Sequence, residues 1–226
     1  DVLGSRGLGD VYKRQVYNSV TNMVIHEHNH FDIRNVGGIL LEKLVIKGGN
    51  QLNGRVRVSS AKNAVLPIIA ATLLASTPSK LLEIPNLEDV GTISQVIESL
   101  GVKITRNEAD DEIIFDASML TATEAPYELV RKMRASFLVM GPLLARKGEA
   151  KISMPGGCAI GARPIDLHLK AFEALGAKIE ITEDYVYAHA PEGLQGTQIY
   201  LDFPSVGATE NVIMAASMAK GLSLIH

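Results

Sequence analysis

The residues best suited to chemistry lie in residues 155–168, which read PGGCAIGARPIDLH. This stretch holds the only cysteine of the chain, Cys158, with glycines on both sides and Arg163 close behind. Glycines let the backbone approach a ligand closely, and a nearby guanidinium favours the thiolate. Pro164 is typical of the first turn of a helix, whose N–H groups would form an anion site with Arg163. The stretch predicts a reactive thiol beside a bound anion, although a lone cysteine is more often an inert packed residue.

The composition is that of a globular protein without general affinity for polyanions. Of 226 residues, 46% are hydrophobic and 21% charged, and the formal net charge is −3. These values are typical of a soluble α/β protein, and they argue against general attraction to nucleic acid or membranes. No apolar run reaches the roughly 18–20 residues that span a bilayer, and one cysteine excludes an internal disulfide. We therefore expect a cytoplasmic protein without nucleic-acid or membrane partners.

Both ends of the chain are expected to lie outside the fold. Residues 1–15 show no sustained helical or strand period, and they resemble translated cloning or sequencing-adapter sequence. We treat residues 1–41 as a disordered or artefactual leader and residues 222–226 as a non-native tail. The alternating histidines of residues 26–30 are more often solvated than metal-bound, so no metal site is predicted.

The middle of the chain repeats itself at intervals of 72 to 75 residues. Three helix-length apolar runs each follow a polar residue, namely Lys62, Arg134 and Thr209. A second landmark, LGVKI at residues 100–104, returns as LGAKI at residues 175–179. Helices that are apolar on all sides belong inside a protein. The repetition therefore predicts stacked supersecondary units with the apolar helices at their centre.

Each unit consists of a buried helix, a strand, an amphipathic helix and two further strands. The amphipathic helices are predicted at Asp89–Leu100 and Pro164–Leu175. Strands are predicted at Ile113–Asp116, Tyr185–Ala190 and Gln198–Asp202. Before the first unit, two more strands are predicted at Lys43–Lys47 and Arg55–Ser59, joined by a Gly/Asn turn.

The glycine-rich string resembles the reactive-cysteine loop of the UDP-N-acetylglucosamine 1-carboxyvinyltransferase family, a group of enolpyruvyl transferases. The resemblance covers residues 42–221 and implies an EPSP synthase-like α/β fold. That fold is an inside-out α/β barrel built from repeated βαβαββ units. It implies that residues 42–59 are strands of a second domain and that residues 60–221 form a first domain with an incomplete third repeat. The chain is therefore expected to be truncated after about one domain.

The resemblance also assigns roles to individual residues. Cys158 would donate a proton and form a covalent adduct, while Lys62, Arg134 and Arg163 would neutralise the phosphate and carboxylate of phosphoenolpyruvate. Asn63 would contact phosphoenolpyruvate beside Lys62. The residues implied to contact UDP-N-acetylglucosamine are Arg134, Arg163, Pro164, Ile165, Asp166, Leu167, Phe203, Pro204, Ser205, Val206 and Gly207.

Simpler explanations exist for the same residues. Lys62 is consistent with a lysine that snorkels at a helix end, and Arg134 with a surface ion pair to Glu128. Ser205 would serve as an N-cap in any helix start of this kind. His168 is expected to be structural.

The implied activity is transfer of the enolpyruvyl group of phosphoenolpyruvate to the 3-hydroxyl of UDP-N-acetylglucosamine, at the entry to peptidoglycan synthesis, without metal or cofactor. In the family a second domain supplies an aspartate base and a further arginine, so the chain alone is expected to be weakly active or inactive. Two alternatives stay open. One is a 5-enolpyruvylshikimate-3-phosphate synthase-type transferase, and the other is a non-catalytic nucleotide-sugar-binding module.

Overall fold

The computed structural model describes residues 53–56, 58, 60–107, 112–154 and 165–226, without the side chains of Lys132 and Arg134. The chain divides into two compact units, Asp1–Arg57 and Val58–His226. Only residues 53–56 of the first unit are described, so the fold is that of the second unit. The leader, the histidines of residues 26–30 and the strand predicted at Lys43–Lys47 lie outside the described residues.

The second unit alternates helices with short strands. Its α-helices are α1 (Lys62–Ala71), α2 (Glu88–Ser99), α3 (Tyr127–Lys132), α4 (Met140–Lys147), α5 (Asp166–Ala174) and α6 (Val206–Ala216). Two 3-10 helices, Thr72–Leu74 and Arg134–Val139, follow α1 and precede α4. The strands are β1 (Ser79–Leu82), β2 (Lys103–Asn107), β3 (Glu112–Asp116), β4 (Glu149–Ser153), β5 (Lys178–Ile181), β6 (Tyr185–His189), β7 (Gln198–Ile199) and β8 (Leu224–Ile225).

Two sheets repeat the same topology. The strand order is β1-β3-β2 in the first sheet and β4-β6-β5 in the second, and both neighbours run antiparallel to the central strand. Both central strands alternate partly buried and buried residues, with Phe115 and Val186 fully buried. A strand with period 2 buries one face of its sheet. Each repeat therefore presents one sheet face to the helices and the other outward.

The apolar helices lie at the centre, as predicted. Helix α1, the Arg134–Val139 helix with α4, and α6 pack against one another, and the amphipathic helices α2 and α5 pack beside them. Residues 136–144 are all buried. The expectation of burial on every side is wrong for α1 and α6, because Ile68 is 50% and Ile213 53% exposed. These two helices each leave one apolar side open in this chain.

The predicted element bounds shift by small amounts. Helix α2 agrees within one residue, whereas α5 begins at Asp166 rather than at Pro164. Helix α6 begins at Val206, three residues before Thr209, because Ser205 caps it. Strand β7 is shorter than predicted.

No strand is present among the described residues of the predicted Arg55–Ser59 strand. Arg55, Val56 and Val58 are exposed, the two valines by 90% and 88%. An isolated strand has no ladder partner to satisfy its backbone groups. The expectation that residues 42–59 are strands of a second domain stays a prediction.

Residues 224–225 take part in a sheet, although residues 222–226 were expected to stand outside the fold. Leu224 and Ile225 pair in parallel with Gln198 and Ile199 across α6. A parallel bridge between Glu124 and Lys151 spans the second buried helix in the same way. Parallel neighbours need a crossover connection, usually a helix. The second and third buried helices are therefore crossovers between parallel neighbours.

The LGVKI and LGAKI landmarks end the amphipathic helices in the same way. Gly101 and Gly176 have φ of 101° and 93°, a region that favours glycine. In both turns the next residue donates back into the helix, from Val102 N to Ile97 O at 3.2 Å and from Ala177 N to Phe172 O at 3.0 Å. The two turns are the same C-terminal helix cap.

Candidate substrate-binding site

The segment that carries Cys158 lies outside the described residues, together with Arg163 and Pro164, so their roles stay predictions. Its two flanks are described. Before it, the N–H of Met154 donates to Asp184 O at 2.8 Å, just beyond β4. After it, the partly buried Ile165 is the N-cap residue of α5. The segment thus joins the end of β4 to the start of α5.

The start of α5 offers ligand contacts of two kinds. Asp166 is exposed in the first turn, where its carboxylate complements the positive end of the helix dipole. Leu167 is only 3% exposed and anchors the turn in the protein interior. Of these two predicted nucleotide contacts, Asp166 can therefore offer its side chain, whereas Leu167 is restricted mainly to its backbone.

The start of α6 is a capped helix terminus beside an open surface. The Ser205 hydroxyl accepts a hydrogen bond from Ala208 N at 3.4 Å, and Ser205 O accepts from Thr209 N and Oγ1 at 3.0 and 2.8 Å. Phe203 and Val206 are 50% and 76% exposed. The N-cap role foreseen for Ser205 is confirmed, and two apolar side chains beside it are exposed to solvent.

A surface depression of about 490 Å³ adjoins this terminus. It is lined by Leu201, Phe203, Pro204, Ser205, Val206, Thr209, Glu210 and His226. Burial raises the pKa of the Glu210 carboxyl above its ordinary value. The sequence pattern did not single out Glu210, because an acid within a helix is usually solvated. Glu210 therefore lies beside the start of α6 and holds its proton more tightly than a solvated carboxyl does.

Lys62 stands at the start of α1, where Ala61 provides no side-chain cap. Its ammonium forms an ion pair with the Asp89 carboxylate in the first turn of α2. The side chains of Lys62 and Asp89 are 52% and 31% exposed, and Asn63 is exposed beside them. Exposed ion pairs contribute little to stability. Lys62 can therefore exchange this partner for a phosphate or carboxylate at small cost.

Arg134 is the first residue of the second 3-10 helix, directly after Met133. Only its backbone is described, so its predicted contact with ligand and its alternative pair with Glu128 both stay predictions. The helix position itself agrees with the repeat, because Arg134 opens the second buried helix as Lys62 opens the first.

Three helix starts meet around one buried histidine. The His168 ring, in the first turn of α5, packs edge-on against Phe137 with ring centroids 5.2 Å apart. A side chain at Gly207, in the first turn of α6, would touch the same ring at 3.8 Å. The starts of α5, α6 and the Arg134–Val139 helix are thus brought together. Helix α1, which carries Lys62, packs against the latter two helices.

Neither a metal-binding cluster nor a membrane-spanning helix is found in the described part of the chain. No group of three or more His, Cys, Asp and Glu residues there could hold a metal ion. Within the same residues, no helix is long and apolar enough to cross a membrane.

Comparison with known proteins relates this chain to one enzyme family. The model of the family EPSP synthase (3-phosphoshikimate 1-carboxyvinyltransferase) matches residues 46–226. UDP-N-acetylglucosamine 1-carboxyvinyltransferase 1 of Staphylococcus aureus (strain N315) is 58% identical over 187 residues, which are 82% of this chain and 44% of that protein. UDP-N-acetylglucosamine 1-carboxyvinyltransferase 2 of Carboxydothermus hydrogenoformans is 59% identical over 186 residues, with the same shares. The chain spans less than half the length of these relatives.

Solved structures agree on the fold. The enolpyruvyl transferase NikO from Streptomyces tendae aligns with a TM-score of 0.60 at 24% identity, over 76% of this chain and 39% of that chain. EPSP synthase from Acinetobacter baumannii aligns with a TM-score of 0.60 at 20% identity, over 76% and 40%. At such identities the likeness concerns the fold alone, and it confirms the predicted EPSP synthase-like architecture.

Proposed function

The chain belongs to the EPSP synthase family, and on that premise we propose that it provides the first-domain half of an enolpyruvyl transferase that acts on UDP-N-acetylglucosamine. The observation that carries the proposal is the 58% identity, over 82% of the chain, to relatives named UDP-N-acetylglucosamine 1-carboxyvinyltransferase. Identity to the solved EPSP synthase from Acinetobacter baumannii is only 20%. This contrast favours the nucleotide sugar over shikimate 3-phosphate as acceptor.

The proposed reaction is an addition followed by an elimination. A proton adds to the methylene carbon of phosphoenolpyruvate, and the sugar 3-hydroxyl oxygen bonds to the neighbouring carbon as it loses its own proton. A proton then leaves the new methyl group, the carbon–oxygen bond to phosphate breaks, and phosphate departs with the bonding electrons. The products are the enolpyruvyl ether of the sugar nucleotide and inorganic phosphate.

The residues of this chain supply one side of that chemistry in the proposal. Cys158 donates the first proton and, as a thiolate, is the nucleophile of the covalent adduct. Lys62, Arg134 and Arg163 bind the phosphate and carboxylate and stabilise the leaving group, with Asn63 beside them. The open ion pair of Lys62 with Asp89 supports its part, because the ammonium lies at the surface and at a helix start.

The sugar nucleotide is proposed to bind where the starts of α5 and α6 meet. The capped terminus at Ser205 and the exposed Phe203 and Val206 support this placement, because they offer an apolar surface next to N–H donors. The exposed Asp166 adds a carboxylate that can accept hydrogen bonds. The second domain, supplying an aspartate base and an arginine, is the proposed partner. The cytoplasmic location stays a prediction.

The test is intact-mass analysis after treatment with fosfomycin, an epoxide that mimics phosphoenolpyruvate. Ring opening by the Cys158 thiolate adds the whole reagent, so one adduct is expected, formed faster with UDP-N-acetylglucosamine present. The matched control, Cys158→Ser, should give no adduct. Acceleration by shikimate 3-phosphate instead would favour the alternative transferase.

Two further outcomes decide the remaining alternatives. Binding of UDP-N-acetylglucosamine without any fosfomycin adduct, in a chain whose thiol reacts with a general reagent, would favour the non-catalytic module. Phosphate release by the isolated chain, abolished in Cys158→Ser, would contradict the expectation that the chain alone is inactive.

A further inference from the structure

A buried amide ties together the three helix starts. Asn211 of α6 is fully buried. Its Oδ1 accepts a hydrogen bond from Gly141 N at 2.8 Å, and its Nδ2 donates to Phe137 O at 3.1 Å. The same Nδ2 lies 3.1 Å from Nδ1 of His168. One side chain therefore bonds to the second buried helix at two points and to α5 at a third.

The backbone partners settle which way the amide points. Gly141 N can only donate and Phe137 O can only accept, so the oxygen of Asn211 faces Gly141 and its NH₂ group faces Phe137. The second hydrogen of that NH₂ group is then directed at His168 Nδ1, which must accept it. An acceptor at Nδ1 puts the proton of the neutral ring on Nε2.

The amide also has little freedom to move. A Cβ at Gly141 would come within 2.3 Å of Asn211 O and 2.4 Å of its Oδ1, so α4 and α6 touch almost backbone to backbone. The N–H of Gly141, the second residue of α4, donates to Asn211 Oδ1 and so links α4 to the neighbouring helix.

We propose that Asn211 is a positioning residue for the nucleotide-sugar site. By fixing His168 as the Nε2–H tautomer, it holds the first turn of α5, which carries Asp166, against the first turn of α6, which carries Gly207. This inference rests on the proposed function for the identity of the ligand. It assigns to Asn211 and His168 no contact with the reacting atoms.

The first measurement is the tautomer of His168 in the 226-residue chain, by long-range ¹H–¹⁵N correlation spectra of the histidine side chains. We expect the proton on Nε2. Asn211→Asp keeps the shape and the acceptor for Gly141 N, but it presents a carboxylate to His168. That variant should move the proton to Nδ1 or protonate both nitrogens. A proton on Nδ1 in the unmodified chain overturns the proposal.

The second measurement is calorimetric titration with UDP-N-acetylglucosamine. Loss of one hydrogen bond to a positioning group should weaken binding by Asn211→Asp about fivefold or more. Equal affinity of the variant and the unmodified chain overturns the positioning role. If the unmodified chain binds no UDP-N-acetylglucosamine, the proposed function fails for this chain. The His168 tautomers of the unmodified chain and of Asn211→Asp then still decide whether Asn211 fixes the tautomer of His168.

A second pair of variants covers the case in which Asn211→Asp does not fold. His168→Gln keeps an acceptor for Asn211, whereas His168→Phe keeps a ring for packing against Phe137 but removes the acceptor. We expect His168→Gln to retain more nucleotide-sugar affinity than His168→Phe. The reverse order shows that ring packing alone matters and overturns the proposal.

Discussion

The first and second repeats share the same sheet topology and differ in the length of the connection that precedes the amphipathic helix. Both place the last strand of the unit at the centre of a three-stranded sheet, and both end the amphipathic helix at a glycine with positive φ. From β1 to α2 the chain uses residues 83–87, whereas from β4 to α5 it uses residues 154–165. The longer connection contains every glycine of the PGGCAIGARP string.

The difference shows where this fold has room for chemistry. The short connection is held in place by a hydrogen bond from the Ser60 hydroxyl to Glu83 O. The long connection joins the corresponding strand and helix of the second repeat in the sequence, and it carries Cys158 and Arg163. Loops on a rigid scaffold commonly carry binding and catalytic groups. The repeated elements provide the scaffold, and the predicted reactive thiol lies in a connection that is longer in the second repeat than in the first.

The largest effect is expected from substitution of the two glycines that end the amphipathic helices in the two repeats. A Cβ at Gly101 would lie 2.4 Å from Thr121 Oγ1 and 2.8 Å from Met119 O, whereas a Cβ at Gly176 meets nothing within 4 Å. Both positions have positive φ. We expect Gly101→Ala to lower the free energy of unfolding by about 3 kcal/mol and Gly176→Ala by about 1 kcal/mol. Urea denaturation of the two variants measures this, and equal losses would mean that the two turns are interchangeable.

The next largest effect is expected for the hydrogen bonds that link the second buried helix to the end of the first. Arg146 of α4 donates through Nη1 to Leu73 O and Ala75 O, at 2.9 and 2.8 Å, at the end of the first buried helix. Arg146→Met should lower the free energy of unfolding by about 1–2 kcal/mol. Lys147→Met is the matched control, because the exposed Lys147 makes one bond of 3.3 Å to Leu120 O. Thermal unfolding measures both variants. A larger loss of stability in Lys147→Met than in Arg146→Met would contradict the stabilising role of Arg146.

A smaller effect on stability is expected from Glu210, which lies in the third buried helix, α6. Burial raises the pKa of Glu210 above the ordinary 4.5. The folded chain therefore binds this proton more tightly than the unfolded chain does, so the free energy of unfolding falls as pH rises from about 4.5 through the folded pKa. Glu210→Gln should flatten that part of the curve and stabilise the chain slightly at neutral pH. Unfolding curves of both chains at pH 4.5 and pH 7 test the sign, and a destabilised variant at pH 7 would refute it.

The smallest effect concerns two ion pairs, that of Lys62 with Asp89 and that of Lys170 with Asp202. Asp89→Asn removes the partner of Lys62, and Asp202→Asn removes the partner of Lys170, whose Nζ lies 2.8 Å from the carboxylate. Both variants should change the free energy of unfolding by less than about 0.5 kcal/mol. Only Asp89→Asn should tighten phosphate binding, because it frees the lysine at the proposed site. Phosphate titrations that show the same gain for both would argue against a special role for Lys62.

Periodic features of the sequence predicted most of the helices that make up the two repeats and the start of the third. The amphipathic patterns located α2 and α5 within one or two residues, and the apolar runs located the three buried helices. Both signals are local, because they depend on which face of a helix is apolar. The glycine landmarks at residues 101 and 176 likewise depend only on their own turn.

Features that depend on distant neighbours were not predictable in this way. The central position of β3 and β6 follows from pairing between strands, which hydrophobic patterns do not specify. The 3-10 start of the second buried helix was also unforeseen. There, Asn211 bonds to Phe137 O and Gly141 N from a helix about 70 positions away. Separation in the sequence also hid the role of Asn211 and the Lys62–Asp89 pair, whose partners lie 27 positions apart, from sequence reasoning about the site.

The local closure of each sheet has a consequence for how the chain folds as it is made. The first sheet pairs Ser79 with Phe115, and its last strand ends at Asp116, so all its partners exist once residue 116 has been synthesised. The contact between α4 and α6, by contrast, needs Asn211, 70 positions after Gly141. Contacts between nearby residues form faster than distant ones. We therefore expect the sheets to form during synthesis, one repeat at a time, while the paired helix starts that build the binding site assemble last.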